Sequence, residues 1–549
     1  MGKIFGIDLG TTYSCIAYVD EYNKPVTVLN RDNSPVTPSV VFFETPDSVS
    51  VGEVAKRALQ SDPLLVCSSI KRQMGNSEYY FTANGKQYRP EKVSSYILKQ
   101  LADDASEKLN EEVKDVVITC PAYFGEKERE ATKTAGKIAG LNVLSILNEP
   151  TAAAIAFGLK VDEPQTVIVY DLGGGTFDVT VIKVSDGNID VIATGGDHKL
   201  GGKDWDARIQ KYAIEQYVQL SGRSEDEVRD DDEAMGDLEM KSEQAKKDLT
   251  KRESTSFRLL GQKIEISREQ FNNFTADLLN NTISMMSDTM KEAAKKNVTH
   301  YDKILLVGGS TFMPQVRIRL EQEYPNTPIE FCDPNESVAR GAALYGTNIQ
   351  AYNEVIRILI EKGEITEEQK DDQEVINDII QQKGGNLGLP DGVKMPPVIR
   401  NVISKSIGCK LQDKKTGELK IYNLIFKNTT VPCYYKDIFS TVQANQTKVQ
   451  LSIYENNNIE GQTPDNVVEE NDATLLTDGY LEPLPPNLPE GSPIELKLKI
   501  DNEGLLSVDA TDMSRPNGVT VHIVVDIKGA MSEEEVVEAR EEVSGIRFV

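Results

Sequence analysis

A single tryptophan, three histidines and six cysteines are all that 549 residues offer of the rarer reactive side chains. The cysteines, at 15, 67, 120, 332, 409 and 433, form no Cys-x-x-Cys pair and no cluster with histidine. A reduced cytosol is therefore the expected home, and a structural zinc is not expected. No run approaches the ~18 consecutive apolar residues of a membrane helix, so no helical span is expected. Nor is a signal peptide: the first strand begins at once, and Gly6 stands where a myristoylation signal wants Ser or Thr. Positive charge is short as well. Lys and Arg number 60 against 87 Asp and Glu, a net charge of -27, and without a basic footprint no nucleic-acid surface is expected.

What remains is ordinary in bulk, 39% hydrophobic and 27% charged, and long enough for roughly three or four domains. The information sits in three short segments. In GIDLGTTYS an apolar strand, Lys3 to Ile7, ends at Asp8 and turns through Gly10 onto Thr11 and Thr12. In VYDLGGGTFD the strand Thr166 to Tyr170 ends at Asp171 and turns through Gly173, Gly174 and Gly175 onto Thr176. Each predicts a hairpin whose turn lets backbone N–H groups approach phosphate oxygens, with a carboxylate for a water-clad divalent cation and a hydroxyl as an oxygen ligand. The third, ILLVGGSTFMP, predicts a strand whose glycines, Gly308 and Gly309, open a helix beside Ser310, a place for a sugar or a phosphate.

Residues 1–346 alternate β-rich runs (Val116 to Thr119, Thr166 to Leu172, Thr180 to Val184, Ile304 to Val307) with helical stretches at 125–140, 205–220 and 269–296. This alternation predicts a large α/β domain. Residues 347–405 read as a charged helical insertion, with Glu361, Glu364, Glu367, Glu368, Asp371 and Asp372, followed by a linker rich in glycine and proline from Gly384 to Pro397. Residues 406–528 predict a compact all-β module, with strands over Lys420 to Lys427, Lys448 to Tyr454, Ile494 to Ile500, Leu505 to Ala510 and Val519 to Val525. In 529–549, Ser532 followed by Glu535 predicts a capping box and a helix start.

GIDLGTTYS, the IKR of Ile70 to Arg72, TCPAYF, NEPTAAAIAFG, DLGGGTFD, LGGKDWD, EQAKKDLT and GGST occur in this order, followed by FKNTTVP and FSTVQANQ. Any one string is weak, but the ordered set resembles the heat shock protein 70 chaperones over nearly the whole chain, apart from about 347–397 and parts of 410–420 and 455–490. The resemblance implies a multidomain chain. A two-lobed α/β ATPase domain, actin-like (ribonuclease H-like), is coupled through a linker to an all-β sandwich that grips extended peptides, and residues 529–549 start a helical lid. It also implies ATP or ADP with Mg²⁺ and K⁺, unfolded polypeptides as clients, a J-domain co-chaperone and a nucleotide exchange factor as partners, and a cytoplasmic role in stress response.

By the same resemblance Asp8 and Asp171 flank the metal through water. Gly10, Thr11, Thr12, Tyr13, Gly173, Gly174, Gly175 and Thr176 line the phosphates, with Gly201 and Gly202 of LGGKDWD beside them. Lys71 supplies positive charge, and Glu149 and Asp178 orient the attacking water. Read without the resemblance, Glu149 is a helix-start carboxylate and Lys71 a solvated surface lysine. Glu243, Lys246, Lys247 and Thr250 fall on one helical face, as the family uses them for ribose and base; a plain face of charge pairs has the same pattern. Phe312 replaces the family's adenine-stacking arginine, and Asn335 an aspartate just beyond. An aromatic stacks on adenine but loses the cationic contribution.

The departures gather in the coupling elements. Pro121 and Arg129 match the family's proline switch and relay arginine, while the linker reads Pro397, Val398, Ile399, Arg400 and Asn401, two apolar anchors with a cation and an amide in place of a leucine and an aspartate. Ser145 stands where bacterial members carry an arginine used in J-domain docking. Loss of a general J-domain partner and compensation by a dedicated one both remain open. In the β-module Ile407, Cys409, Phe439 and Val449 match positions lining the peptide pocket and Val442 one side of its arch; each alone is equally a plain core residue. Two function classes follow: an ATP-driven peptide-binding chaperone, or an ATP-binding relative acting as a nucleotide exchange factor for another chaperone.

Overall fold

The computed structural model describes all residues except 1–2, 159–163, 186–187, 371–374, 377, 381–397, 414–415, 502–503, 505, 516–519 and 525–529. Two hairpins found in the sequence seed two sheets of one plan. Ile4–Asp8 pairs antiparallel with Tyr13–Val19 and parallel with Asp115–Cys120, beyond which lies Asn142–Asn148. Gln165–Leu172 pairs antiparallel with Phe177–Ser185 and parallel with Lys303–Val307. Asn188–Asp197 and Ile329–Phe331 extend that second sheet on either side. Phe5 and Ile7, and the run Val167, Ile168, Val169 and Tyr170, are buried on both faces, as strands covered by helices from both sides must be.

The helix Ser337–Glu361 lies across Ile4–Asp8 and the helix Glu149–Ala156 at backbone contact. A Cβ at Gly6 would collide with the backbone of Ala339 and Ala343, and one at Gly341 with the Ala152 carbonyl. Only glycine permits this spacing. The helix runs unbroken through 346–347, so the domain boundary expected there falls inside a single element. Val355 and Leu359 near its end join Ile365 and Ile376 in a small apolar cluster separate from the large cores. The expected linker residues 384–397 lie outside the described residues.

One expected helix is divided. Instead of a continuous element over 269–296 there are two, Arg268–Phe274 and Ala276–Lys295. Thr275 joins them outside the helical region, at φ -113, while its hydroxyl adds a second bond to the Phe271 carbonyl that its amide also reaches, a side-chain bond of the kind that bends helices. Among the described residues no helix is long and apolar enough to cross a membrane.

The β-module packs two sheets face to face. One has the order Val467–Val468, Leu419–Ile425, Ser406–Gln412, Val449–Asn456, Thr474–Leu481; the other Cys433–Ser440, Pro493–Ile500, Leu506–Asp512, Thr520–Val524. Cys409, Ile453, Leu476, Leu498, Val508 and Ala510 fill the space between them. The strands Cys433–Ser440 and Thr474–Leu481 escape a reading of apolar runs because both are edges, with many polar side chains turned to solvent.

The module is docked. Val398–Arg400 joins the second sheet as a parallel edge strand beside Asn188–Asp190, and Ile399 packs on the cluster of Val184 and Ile189. The Thr194 amide donates to Asn428 Oδ1 at 2.9 Å, Lys296 Nζ donates to the Asn428 and Ile192 carbonyls at 2.6 Å each, and Ser404 Oγ donates to the Phe124 carbonyl at 2.8 Å.

The glycine contact in the long helix yields a direct test. Gly341→Val must push that helix off Ala152, and overpacking of this kind costs about 1–3 kcal/mol. Denaturant unfolding should show the α/β transition at a lower midpoint with the β-module transition unmoved.

Candidate functional site

The two glycine turns meet at the floor of a cleft of about 620 Å³. A Cβ on Gly174 would strike the Thr12 side chain and one on Gly175 the Thr11 side chain, so the second turn accepts the two threonines of the first where it lacks side chains. Gly201 and Gly202 buttress the second turn from behind. The Gly202 and Lys203 amides donate to the Gly173 and Gly174 carbonyls at 2.9 and 2.8 Å, and Ser310 Oγ reaches the Gly173 carbonyl at 2.8 Å. Gly308, at φ +80, sits where a Cβ would strike Asp171 and the Leu172 carbonyl. Gly10, Thr11, Thr12, Gly173, Gly174, Thr176, Gly309 and Ser310 line the cleft itself. Gly175, Gly201 and Gly202 hold its walls.

Beneath the turns lies a buried charged cluster. The short 3₁₀ segment Ile70–Gln73, entered through Ser69 at φ +59, drives Lys71 inward, where its Nζ is 2.5 Å from Glu149 Oε1. Burial would lower the Lys71 pKa, yet the charges of Glu149 and Asp8 outweigh it and hold the ammonium above its ordinary value. Asp8 and Asp178 are each pushed up to about 7 by burial and then by Glu149. Asp171 is held well above the ordinary range by burial and by the carboxylates of Glu149, Asp178 and Asp8. Four carboxylates thus share one lysine in a low-dielectric pocket. Among the described residues no three of these side chains are arranged to hold a metal ion directly, so the oxygen donors suit a divalent cation only through its water shell.

At the other end of the cleft Glu243 is the hub. Its carboxylate accepts from Tyr13 Oη at 2.9 Å, and Lys56 and Lys247 lie 2.5 and 2.6 Å away. Burial opposes its ionisation, but the two lysines hold its pKa far below the usual carboxylate range. Both ammonium groups also donate to Tyr13 Oη at 2.8 Å and lie 5.0 and 4.9 Å from its ring centroid. Tyr13 thus lines the same cleft as the glycine turns while its hydroxyl bonds Glu243. Lys246 pairs with Asp206 at 2.8 Å and donates to the Gly202 carbonyl, while the Thr250 hydroxyl closes on the Lys247 carbonyl. Phe312, 45% exposed at the rim, stacks on Phe331 with centroids 5.5 Å apart, and Asn335 completes that edge. Sequence reading missed Lys56, Asp206 and Phe331. Lys56 and Phe331 come from short elements with no periodic signal, and Asp206 lies inside LGGKDWD, a string quoted for its glycines.

A third set of contacts connects the charged cluster to the β-module. The Tyr123 amide donates to Asp178 Oδ1 at 2.9 Å, and Lys427 of FKNTTVP stands 4.6 Å above the Tyr123 ring centroid. Burial draws the Lys427 pKa down to about 8. Arg129, one turn into the helix Glu126–Ile138, bonds the Phe124 carbonyl and Asn148 Oδ1, the residue just before Glu149. Pro121 is buried at the end of the Asp115–Cys120 strand. Lys405, placed by the β-module, ties Glu128 at 3.3 Å to Glu455 at 2.9 Å. Of the residues expected to grip peptide, Ile407 and Cys409 lie in the sandwich core, Phe439 and Val449 lie half-buried at its rim, and Val442 is exposed. The side chain of Val398 lies outside the described residues.

Proton linkage at this interface has a definite sign. Burial pushes Glu126 up to about 8 against the pull of Arg129, and Glu455, Asp501 and Glu130 add to the rise. An undocked Glu126 regains its ordinary value, so the docked form binds more protons below about pH 8, and docking strengthens as pH falls through that value. Glu126→Gln mimics the neutral acid permanently. Energy transfer between dyes on the two units should lose in this variant the rise that Glu126 gives as pH falls through about 8, leaving the opposite dependence above that pH, where docking displaces the proton of Lys427.

Two comparisons place these features among known proteins. A family model described as "Hsp70 protein" matches residues 4–80, 77–362 and 395–545. The unmatched stretch between the last two segments falls inside the charged insertion. The "Chaperone protein DnaK" of Mycoplasma mobile is 35% identical over 545 residues, covering 97% of this chain and 80% of that protein.

Proposed function

This chain belongs to the Hsp70 family and is an ATP-dependent chaperone with ATPase activity, and we propose that it works through the cleft and interface described above. The observation that carries the proposal is the convergence of Lys71, Glu149, Asp8 and Asp171 under two interlocked threonine–glycine turns. In this reading residues 1–346 form an actin-like, two-lobed ATPase domain, and residues 406–528 form the peptide-gripping sandwich.

The phosphates lie along Thr11, Thr12, Gly174 and Thr176, whose backbone N–H groups and hydroxyls offer hydrogen bonds to them. Mg²⁺, when bound through water by Asp8 and Asp171, supplies the positive charge that offsets the phosphate oxygens; K⁺ is a second candidate cation here. Lys71 is drawn from Glu149 toward the γ-phosphate. That exchange leaves a Glu149 oxygen free to accept a proton from the attacking water, with Asp178 holding the water's orientation. Hydrolysis is then governed by positioning and charge, with no covalent chemistry required of the protein.

Glu243, Lys246, Lys247 and Thr250 bind the ribose and base, and Phe312 stacks on adenine, with Asn335 beside it. Through Asp178, Tyr123 and Lys427, and through Arg129 and Asn148, the state of the phosphate site reaches the docked sandwich. Phe439, Val442 and Val449 contact an extended client segment there, with Ile407 and Cys409 supporting them from the core. A J-domain partner, an exchange factor and a cytoplasmic location belong to the same proposal. The six unpaired cysteines, five of them buried, agree with a reducing compartment.

Two measurements test this. Lys71→Met should cut single-turnover hydrolysis by about 10²- to 10³-fold while ATP affinity stays near wild type, because the ammonium acts on charge that develops at the γ-phosphate. Unaltered hydrolysis would remove Lys71 from the mechanism. Ile399→Asp places a charge in the linker strand where burial of an isoleucine is worth about 1.5–3 kcal/mol. ATP-accelerated release of a labelled hydrophobic peptide should disappear in that variant and basal ATP binding should persist. Release that remains ATP-dependent would route coupling through other contacts.

A further inference from the structure

The adenosine end of the cleft carries a pair of rings that no hydrogen bond can orient. Phe312 ends the short 3₁₀ turn Gly309–Phe312, where the Thr311 and Met313 amides donate to the Gly308 and Ser310 carbonyls at 3.0 and 3.2 Å. Those bonds fix the backbone but leave the Phe312 ring to packing. At 45% exposure the ring has little protein around it, and a phenyl group offers no donor or acceptor with which to hold a rotamer. Among the described residues its one aromatic partner is Phe331, stacked at an interplanar angle of 21°.

Phe331 comes from a separate element with a firmly set backbone. It closes the edge strand Ile329–Phe331 opposite Leu306 of Lys303–Val307, and the Cys332 amide just beyond it donates to the Leu306 carbonyl at 3.0 Å. The Arg317 guanidinium, from the helix Pro314–Glu323, lies 5.8 Å from the Phe331 centroid, within cation–π range, while Arg317 Nε donates to Glu321 at 2.8 Å. Phe312 lines the cleft and Phe331 does not. Phe331 can therefore affect a bound base only through the ring stacked on it. An arginine at position 312 would bring its own hydrogen bonds and charge. With phenylalanine there, orientation has to come from a neighbouring ring, and Arg317 returns a cation to the same stack.

We propose that Phe331 is a positioning residue for the nucleobase, a proposal that rests on the reading above that Phe312 stacks on adenine. Phe331 fixes the rotamer in which the Phe312 ring presents a face to a planar base, and the Phe312–Phe331–Arg317 stack stands in for a single cationic side chain. Preorganisation of this kind strengthens binding of the base equally before and during reaction, so it acts on affinity and not on the phosphate chemistry at the other end of the cleft.

Calorimetry with ADP, which carries the same base and is not turned over, tests this on the full chain. Phe331→Ala should weaken ADP about 2- to 10-fold, the range of an aromatic pair, and leave single-turnover hydrolysis at saturating ATP near wild type. Phe331→Tyr keeps the ring and should keep the affinity. Phe331→Leu keeps apolar volume alone and should lose it, and it takes the place of the alanine variant should that one fail to fold. In a Phe312→Ala background Phe331→Ala should cost nothing further, because the ring it orients is gone. Additive losses in the double variant would make Phe331 a packing residue and refute the proposal. Wild-type ADP affinity in Phe331→Ala, beside a loss in Phe312→Ala, would overturn the proposal and spare the stacking of Phe312. Unchanged affinity in Phe312→Ala would remove that stacking and the proposal with it.

Discussion

The close approach of two turns, Thr11 and Thr12 on one sheet and Gly174 and Gly175 on the other, is the constraint from which the site follows. Each glycine faces a threonine, and no Cβ fits between them. Because both turns grow from the ends of central strands, their approach carries Asp8 and Asp171 inward together. The carboxylates are thereby taken out of water beside Glu149 and Asp178, and burial raises their proton affinity. A site so charged is poised for cations and for a phosphate chain that brings its own counter-ion.

The same economy of charge governs the interface between the units. A chain with a net charge of -27 places Lys405, Lys427 and Lys296 at the contact between sandwich and ATPase domain. Lys405 serves carboxylates from both units at once, and burial alone would lower its pKa, but Glu455 and Glu128 hold it above the ordinary lysine value. Burial draws Lys427 down to about 8, with no carboxylate in salt-bridge contact among the described residues. Buried charges arranged in this way contribute little net stability, since desolvation offsets attraction, yet they disfavour any docking geometry that separates them. Docking specificity and response to pH then come from the same few side chains.

Much of the site was legible because its chemistry is local. Strand, carboxylate, glycine and hydroxyl follow one another within ten residues in GIDLGTTYS and in VYDLGGGTFD, so the turns could be read from spacing alone. Lys71 could not be read so: in sequence it is a lysine in a short apolar context, and only the bend at Ser69 turns it inward onto Glu149. Lys56 and Asp206 were invisible for a related reason. Each acquires its role from a partner far along the chain, Glu243 and Lys246, and pairwise electrostatics leaves no periodic trace. Edge strands such as Cys433–Ser440 were hidden by their polar outer faces.

The sequence by itself determined the two glycine hairpins, the β-rich module after residue 405, and the capping box at Ser532, because turn chemistry, alternation and capping act between neighbours. Tertiary structure alone decided the rest. It set the glycine-to-threonine interlock, the hydrogen bond of Tyr13 to Glu243, and the addition of Arg547–Phe548 to the edge at Ser48. In each of these the deciding atom belongs to a residue distant in the chain. What a side chain does there depends on which surface the folding of the whole brings against it.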